Sequence, residues 1–69
     1  KTKSDYFLLS NREKEVLIHI EAGLSYKQIG EQLYISPNTV HSHIKHIYEK
    51  LQAKNKQEAI LQARDKGIL

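Results

Sequence analysis

The chain has no cysteine, methionine or tryptophan, and only one proline and three glycines among its 69 residues. The absence of cysteine excludes disulfides and thiolate metal sites, and it fits a reducing compartment. No apolar run approaches the roughly 20 residues that a membrane-spanning helix needs. The N-terminus also lacks the hydrophobic stretch of a secretory signal peptide. We therefore expect a cytoplasmic protein with no membrane partner.

The length allows one domain with one small core. Domains of this size bury only about 60% of their unfolded surface, so modest stability is expected. The first residue is Lys1 rather than Met. We expect the chain to be a piece of a longer protein.

Acidic residues are unevenly distributed. Residues 1–23 carry four Lys or Arg and four Asp or Glu, whereas residues 24–69 carry seven and four, which gives the whole net charge of +3. Between Glu31 and Glu49 there is no acidic residue, although Lys45 and three histidines fall in this window. A local basic excess favours an anionic partner, but chance also produces such an excess in a short chain.

Four helix starts are recognisable from capping residues. Three of them are predicted capping boxes, in which a Ser or Asn cap is followed three positions later by Glu or Gln: Ser10 with Glu13, Ser25 with Gln28, and Asn55 with Glu58. Ser36 precedes Pro37, which suits the first helical position. Gly23 and Gly67 are predicted to mark the C-terminal ends of the first and the last helix.

These signals predict helices near residues 11–22, 26–33, 37–51 and 56–66, and no segment alternates long enough to be a strand. The expected fold class is therefore all-α, a four-helix bundle. Residues 9–69 form the predicted domain, and residues 1–8 are expected to be a linker or lead-in.

The third predicted helix has two contrasting sides. At about 100° per residue, Val40, Ile44, Ile47 and Leu51 fall in one stripe that must face the core. Opposite the stripe are Ser42, Lys45, His46 and Glu49, with His41 and His43 at the two borders. His43 is expected to pack against the edge of the core. Further predicted core residues are Val16, Leu17, Ile20, Ile29, Leu33, Ala59, Ile60 and Ala63, whereas Leu61 points away from its own stripe.

The second and third helices are predicted to form a helix-turn-helix. Ser25 and Ser36 are 11 positions apart, which leaves room for a two-turn helix and a connection of about three residues before the long helix. In such a motif the second helix enters the major groove of DNA, where its side chains must not repel phosphate. The acid-free window meets that requirement.

Several segments resemble the LuxR-type (FixJ/NarL-type) DNA-binding domain of bacterial transcription regulators: LSNREKEVL, GLSYKQIGEQLYIS, TVHSHIKHIYEKL and NKQEAI, with GIL at the end. The resemblance covers residues 9–69. It implies sequence-specific DNA binding as the C-terminal output domain of a transcription regulator, with a two-component response regulator as one candidate. The third helix would then contact bases in the major groove.

The resemblance also implies roles for individual residues. The residues expected to contact bases are Lys45, Ser42, His41 and His46. The residues expected to contact the DNA backbone are Tyr26, Lys27, Asn38, Thr39 and Lys50. The last helix would pair two copies on DNA, with Leu61 at the centre of the contact and Gln57 and Arg64 beside it. Members of the family usually have Lys at the position of His41, Asn at Tyr26 and Ala at Gly30. The implied partners are double-stranded DNA, a second copy of the chain and RNA polymerase, with no cofactor.

Other functions of the same residues are less well supported. Surface Lys, Ser and His side chains such as Lys45, Ser42, His41 and His46 can simply be solvated. His43 and His46 have a spacing that suits a helical metal site, but His41 points elsewhere and no Cys or carboxylate completes the set. No metal site is therefore expected.

An enzyme is not expected either, because the sequence has no Gly-rich phosphate loop and no nucleophile with a base. The main alternative is a small helical protein-interaction module, which would need an exposed apolar patch. Ile18, Leu61 and Tyr48 are the candidates for such a patch. The sequence leaves open the operator, the direction of regulation and the identity of any upstream domain.

Overall fold

A computed structural model describes residues 9–69, and the predicted linker or lead-in at residues 1–8 lies outside this range. The described chain forms four helices: α1 (Asn11–Glu21), α2 (Tyr26–Leu33), α3 (Pro37–Leu51) and α4 (Lys56–Asp65). Residues 9–69 contain no strand, so the predicted all-α class is confirmed. Helices α1 and α4 each end one residue earlier than predicted, a normal difference where helix ends fray.

The predicted capping boxes at α1 and α2 are present. At α1, the Glu13 N–H donates to Ser10 Oγ over 3.2 Å, and the Ser10 N–H donates to Glu13 Oε1 over 2.9 Å. Ser25 and Gln28 form the same reciprocal pair at α2. Each box satisfies two N–H groups that a helix start would otherwise leave without a partner.

The predicted box at α4 is only half formed. Asn55 Oδ1 accepts the Glu58 N–H over 2.9 Å, but the Glu58 carboxylate accepts from the Lys54 N–H rather than from Asn55. The prediction of a reciprocal box is therefore wrong here. Asn55 has a φ of −154°, against −70° at the N-cap of α1, and this rotation turns its N–H away from Glu58.

Helix α3 is the centre of the domain and packs against each of the other three helices. Its predicted stripe of Val40, Ile44, Ile47 and Leu51 is buried, with no member more than 2% exposed. The rest of the buried core consists of Leu9, Val16, Leu17, Ile20, Ile29, Leu33, Ala59 and Ala63, while Ile60 is half-buried at its edge. Because one side of α3 is fully covered, its other side is fixed towards solvent.

The connection between α2 and α3 depends on close backbone contact. Tyr34 ends α2 with a φ of 59°, in the left-handed region, and the Ile35 N–H donates to the Gly30 carbonyl over 2.9 Å. A Cβ atom on Gly30 would lie only 2.5 Å from the Ile35 carbonyl oxygen. Glycine in a helix costs about 1 kcal/mol relative to alanine, but here it lets the turn fold back closely on α2.

Replacing Ile47 with Ala should lower the free energy of unfolding by about 2–5 kcal/mol, because Ile47 is fully buried and its truncation leaves a cavity. Urea unfolding followed by circular dichroism measures this change. The control is Lys45→Ala on the exposed side of the same helix, which should unfold like the parent. Equal stability of Ile47→Ala and the parent would show that the core stripe is misassigned.

Candidate nucleic-acid interface

The exposed side of α3 carries the four predicted base contacts. His41, Ser42, Lys45 and His46 are all exposed, and we call these four residues the recognition face. Along α3 the first acidic residue is Glu49, in the last turns of the helix. The N-terminal half of α3 therefore presents hydrogen-bonding side chains with no carboxylate to repel a phosphate backbone.

The first turn of α3 adds polar groups beside the recognition face. Asn38 and Thr39 are exposed. The Thr39 N–H donates to Ser36 Oγ over 3.1 Å, and the two hydroxyl oxygens lie 3.0 Å apart. Ser36 was predicted only as a cap, but its hydroxyl also lies within hydrogen-bond distance of the Thr39 hydroxyl.

The start of α2 lies next to the recognition face. Tyr26 and Lys27, the first two residues of α2, are exposed. The ring of Tyr26 packs against the imidazole of His41, with centroids 5.8 Å apart and planes tilted by 46°. This contact was not predictable from the sequence, because the two residues are 15 positions apart on different helices.

Lys50 has a partner within the chain. Its Nζ lies 2.7 Å from Oε1 of Glu13, whose side chain is only 6% exposed, while the Lys50 side chain is 40% exposed. Burial, the largest single effect, raises the pKa of Glu13. The hydrogen bonds from Lys50 and Ser10, together with the positive charge of Lys50, outweigh burial and hold the pKa below 4.5. The same carboxylate therefore caps α1 and pairs with the last turn of α3. The second role could not be predicted from the sequence, because the capping box already accounts for Glu13.

The three histidines of α3 differ in their exposure. His43 is half-buried, in agreement with a packing role at the edge of the core, whereas His41 and His46 are exposed. Within residues 9–69, no three His, Cys, Asp or Glu side chains come together in a way that could hold a metal ion.

The exposed apolar side chains differ from those expected. Ile18 and Leu61 are exposed as predicted, by 50% and 66%, but Tyr48 packs against the core. The prediction of Tyr48 as part of an exposed patch is therefore wrong, because its ring covers the margin of the buried stripe. Tyr34 was not predicted and is 95% exposed. It follows the end of α2, where a left-handed backbone turns its side chain outwards.

Two residues of the predicted dimer contact also lie on the surface of α4. Gln57 and Arg64 are exposed. Arg64 forms an ion pair with Glu21 of α1, with its Nη2 2.6 Å and its Nε 3.0 Å from the same carboxylate oxygen. This pair joins α4 to α1 beside Leu61, which lies one turn earlier on α4.

A model of the family described as bacterial regulatory proteins, luxR family, matches residues 8–63. The chain belongs to this family. The luxR-family domain is therefore a helix-turn-helix DNA-binding domain of the kind that transcription regulators carry, with α2 and α3 as the helix-turn-helix.

The relatives agree with this assignment. The domain is 44% identical over 59 residues to the transcriptional regulatory protein DesR of Bacillus subtilis, covering 86% of the domain and 30% of that protein. It is 40% identical over 68 residues to the oxygen regulatory protein NreC of Staphylococcus carnosus, covering 99% and 31%.

Among solved structures, the response regulator ChrA of a heme-sensing two-component system superimposes with a TM-score of 0.84 at 44% identity, covering 88% of the domain and 30% of that chain. The domain thus spans about 30% of the length of the curated relatives that it matches. No helix in residues 9–69 is long and apolar enough to cross a membrane.

The Glu13–Lys50 pair should make the stability of the domain depend on pH. Because the folded pKa of Glu13 lies below its ordinary value of 4.5, its contribution is present above that value and is lost as the pH falls through the folded pKa. Glu13→Gln keeps an acceptor for the cap but removes the charge. We expect it to lower the free energy of unfolding by about 1–2 kcal/mol at neutral pH.

Urea unfolding of both proteins from neutral pH to well below 4.5 measures this effect. The difference between parent and variant should shrink on the acidic side. A constant difference at every pH would mean that the charge of Glu13 does not contribute to stability.

Proposed function

We propose that the luxR-family domain binds a specific operator through the recognition face. Lys45 and Ser42 contact base edges from the middle of the face, and His41 and His46 contact them from its borders. The observation that carries this proposal is the acid-free, exposed N-terminal half of α3, held in place by a fully buried opposite side. The major groove is about 12 Å wide and accepts a helix presented in this way.

Contacts to phosphate would fix the orientation of α3 in the groove. The proposed residues flank the recognition face on two helices: Tyr26, Lys27, Asn38, Thr39 and Lys50. Lys50 has a partner within the domain, since its ammonium is already bound to Glu13. An ammonium has three donors, and the Lys50 side chain is 40% exposed, so a phosphate can be a second acceptor without breaking the internal pair.

The operator test is selection from a library of random duplexes, followed by titration of the selected duplex and a scrambled duplex. Lys45→Ala should lower affinity for the selected duplex by about 5- to 150-fold and relax the preference at one base-pair position. Lys27→Ala should weaken both duplexes alike and reduce the slope of log affinity against log salt by about 1.

Lys56→Ala, at the first residue of α4, is the matched control for the loss of one positive charge outside the helix-turn-helix. It should bind both duplexes nearly as the parent does. If Lys45→Ala and Lys56→Ala bound the selected duplex equally well, Lys45 would not be a base-contacting residue. If the parent did not distinguish the selected from the scrambled duplex, sequence-specific binding itself would be disproved.

We further propose that the domain is the C-terminal output domain of a longer regulator, and that a response regulator is the best candidate. The support is that the domain covers only about 30% of its relatives, one of which is named as a response regulator in a two-component system. We propose no enzymatic activity for the domain. Because operators lie on the bacterial chromosome, this function belongs to the cytoplasm.

Two copies are proposed to bind DNA together through α4. Leu61 is 66% exposed on α4, and one domain of this size covers only a few base pairs. In a two-fold contact Leu61 would meet its counterpart, with Gln57 beside it. Arg64 would take part only through the guanidinium surface not used by Glu21, so its role is secondary to that of Leu61.

RNA polymerase is proposed as a further partner. Relatives of the domain are named as transcriptional regulators, and a regulator bound at a promoter can act by contacting the enzyme. An open groove beside the helix-turn-helix connection is lined by Lys27, Glu31 and Tyr34 among others. Because Lys27 is also a proposed phosphate contact, substitutions of Glu31 and Tyr34 are the ones that test contact with the polymerase there.

Replacing Leu61 with Gln should abolish cooperative binding to a duplex with two half-sites while leaving affinity for one half-site unchanged. Loss of the apolar contact is expected to weaken binding to the paired site about tenfold. Leu61→Met, which preserves an apolar side chain, is the control and should remain cooperative. Gel-shift titrations of both duplexes measure the effect. Undiminished cooperativity of Leu61→Gln would exclude Leu61 from the contact.

A further inference from the structure

The contact between Tyr26 and His41 exists only in the folded domain. Their ring centroids are 5.8 Å apart, within the range of about 4.5–7 Å in which aromatic rings attract each other. Tyr26 is 41% exposed, and His41 is exposed at the border of the recognition face. The pair therefore lies between the start of α2 and the recognition face, on the surface proposed to meet DNA.

A second tyrosine, Tyr48, lies on α3 seven positions after His41. Burial, the larger effect, and the neighbouring phenol of Tyr26 raise the pKa of Tyr48 above 10. Tyr48 is half-buried and packs against the core. The geometric link between Tyr26 and α3 is therefore its ring contact with His41.

The ring of Tyr26 has a consequence for His41, because it lies beside the imidazole. An exposed imidazole can rotate about its side-chain bonds, and fixing it upon binding costs conformational entropy. Its two ring nitrogens have different hydrogen-bonding roles in the neutral form, so the orientation of the ring decides which group faces a base edge. A ring packed against one side of the imidazole removes part of this freedom before DNA arrives.

We propose that Tyr26 is a positioning residue for His41, and that its ring determines which base pair the imidazole selects in the major groove. This inference rests on the proposed function. The two parts of the Tyr26 side chain then have different roles. The hydroxyl is available to a phosphate, and the ring orients His41. Tyr26 therefore contributes to sequence specificity from outside the helix that contacts the bases.

The experiment uses the duplex selected by the parent domain, together with its complete set of single base-pair variants. The proteins compared are the parent, Tyr26→Phe, Tyr26→Leu, His41→Ala and the double variant Tyr26→Leu with His41→Ala. Tyr26→Phe keeps the ring and should retain the parent's base preference, while losing affinity equally for all duplexes if the hydroxyl meets a phosphate.

Tyr26→Leu should flatten the preference at the same base-pair position as His41→Ala, by about two- to tenfold, the range expected for an aromatic pair. In the double variant the loss of base preference should not exceed the loss that His41→Ala causes alone. Tyr26→Asn supplies a second variant without the ring. Tyr34→Leu is the control for loss of an exposed tyrosine and should leave the preference unchanged.

A purely structural role for Tyr26 would give a different result. In that case Tyr26→Leu would lower the thermal midpoint and weaken every duplex alike, and its effect would multiply with that of His41→Ala; this outcome would overturn the proposal. Proton NMR of the free domain gives an independent test, since the His41 ring signals should shift in Tyr26→Leu but not in Tyr26→Phe. Absence of any shift would also overturn it. A parent without sequence preference would instead disprove the proposed function.

Discussion

Burial of the apolar stripe of α3 is the interaction on which the rest of the domain depends. Val40, Ile44, Ile47 and Leu51 are covered by the three other helices, and this packing fixes the rotation of α3 about its own axis. A rotated helix would expose the stripe and bury Lys45, which would leave a charge without water or a partner. The same burial that stabilises the fold therefore presents the recognition face.

Charge pairs join the ends of the helices around this centre. Lys50 in the last turn of α3 pairs with Glu13 at the start of α1, and Arg64 of α4 pairs with Glu21 at the end of α1. The first pair involves a nearly buried carboxylate that is also a cap, so it constrains how α1 lies against α3. Lys50 therefore has two roles, one in the stability of the fold and one in the proposed contact with phosphate. Both can be filled at once only if its ammonium donates to the Glu13 carboxylate and to a phosphate together.

Much of the fold could be predicted because its signals are local. A cap and its partner are three residues apart, and an apolar stripe repeats every three or four residues, so Ser10 with Glu13 and the α3 stripe were both apparent from the sequence. The half-formed box at Asn55 shows the limit of such signals, because the backbone angle of the cap decides where its N–H points. The predicted exposure of Tyr48 was wrong for a related reason. Tyr48 lies at the border of the stripe, where packing of the neighbouring helix decides whether a side chain is buried.

The sequence by itself determined the four helices, the two-sided character of α3 and the exclusion of acidic residues from its N-terminal half. Each of these follows from residue type and spacing along one helix. Only the tertiary structure decided that Lys50 meets Glu13 across 37 positions, that Arg64 meets Glu21, and that Tyr26 packs against His41. These contacts depend on the distances and angles between helices, which are set by packing of the whole core and by the close backbone approach at Gly30.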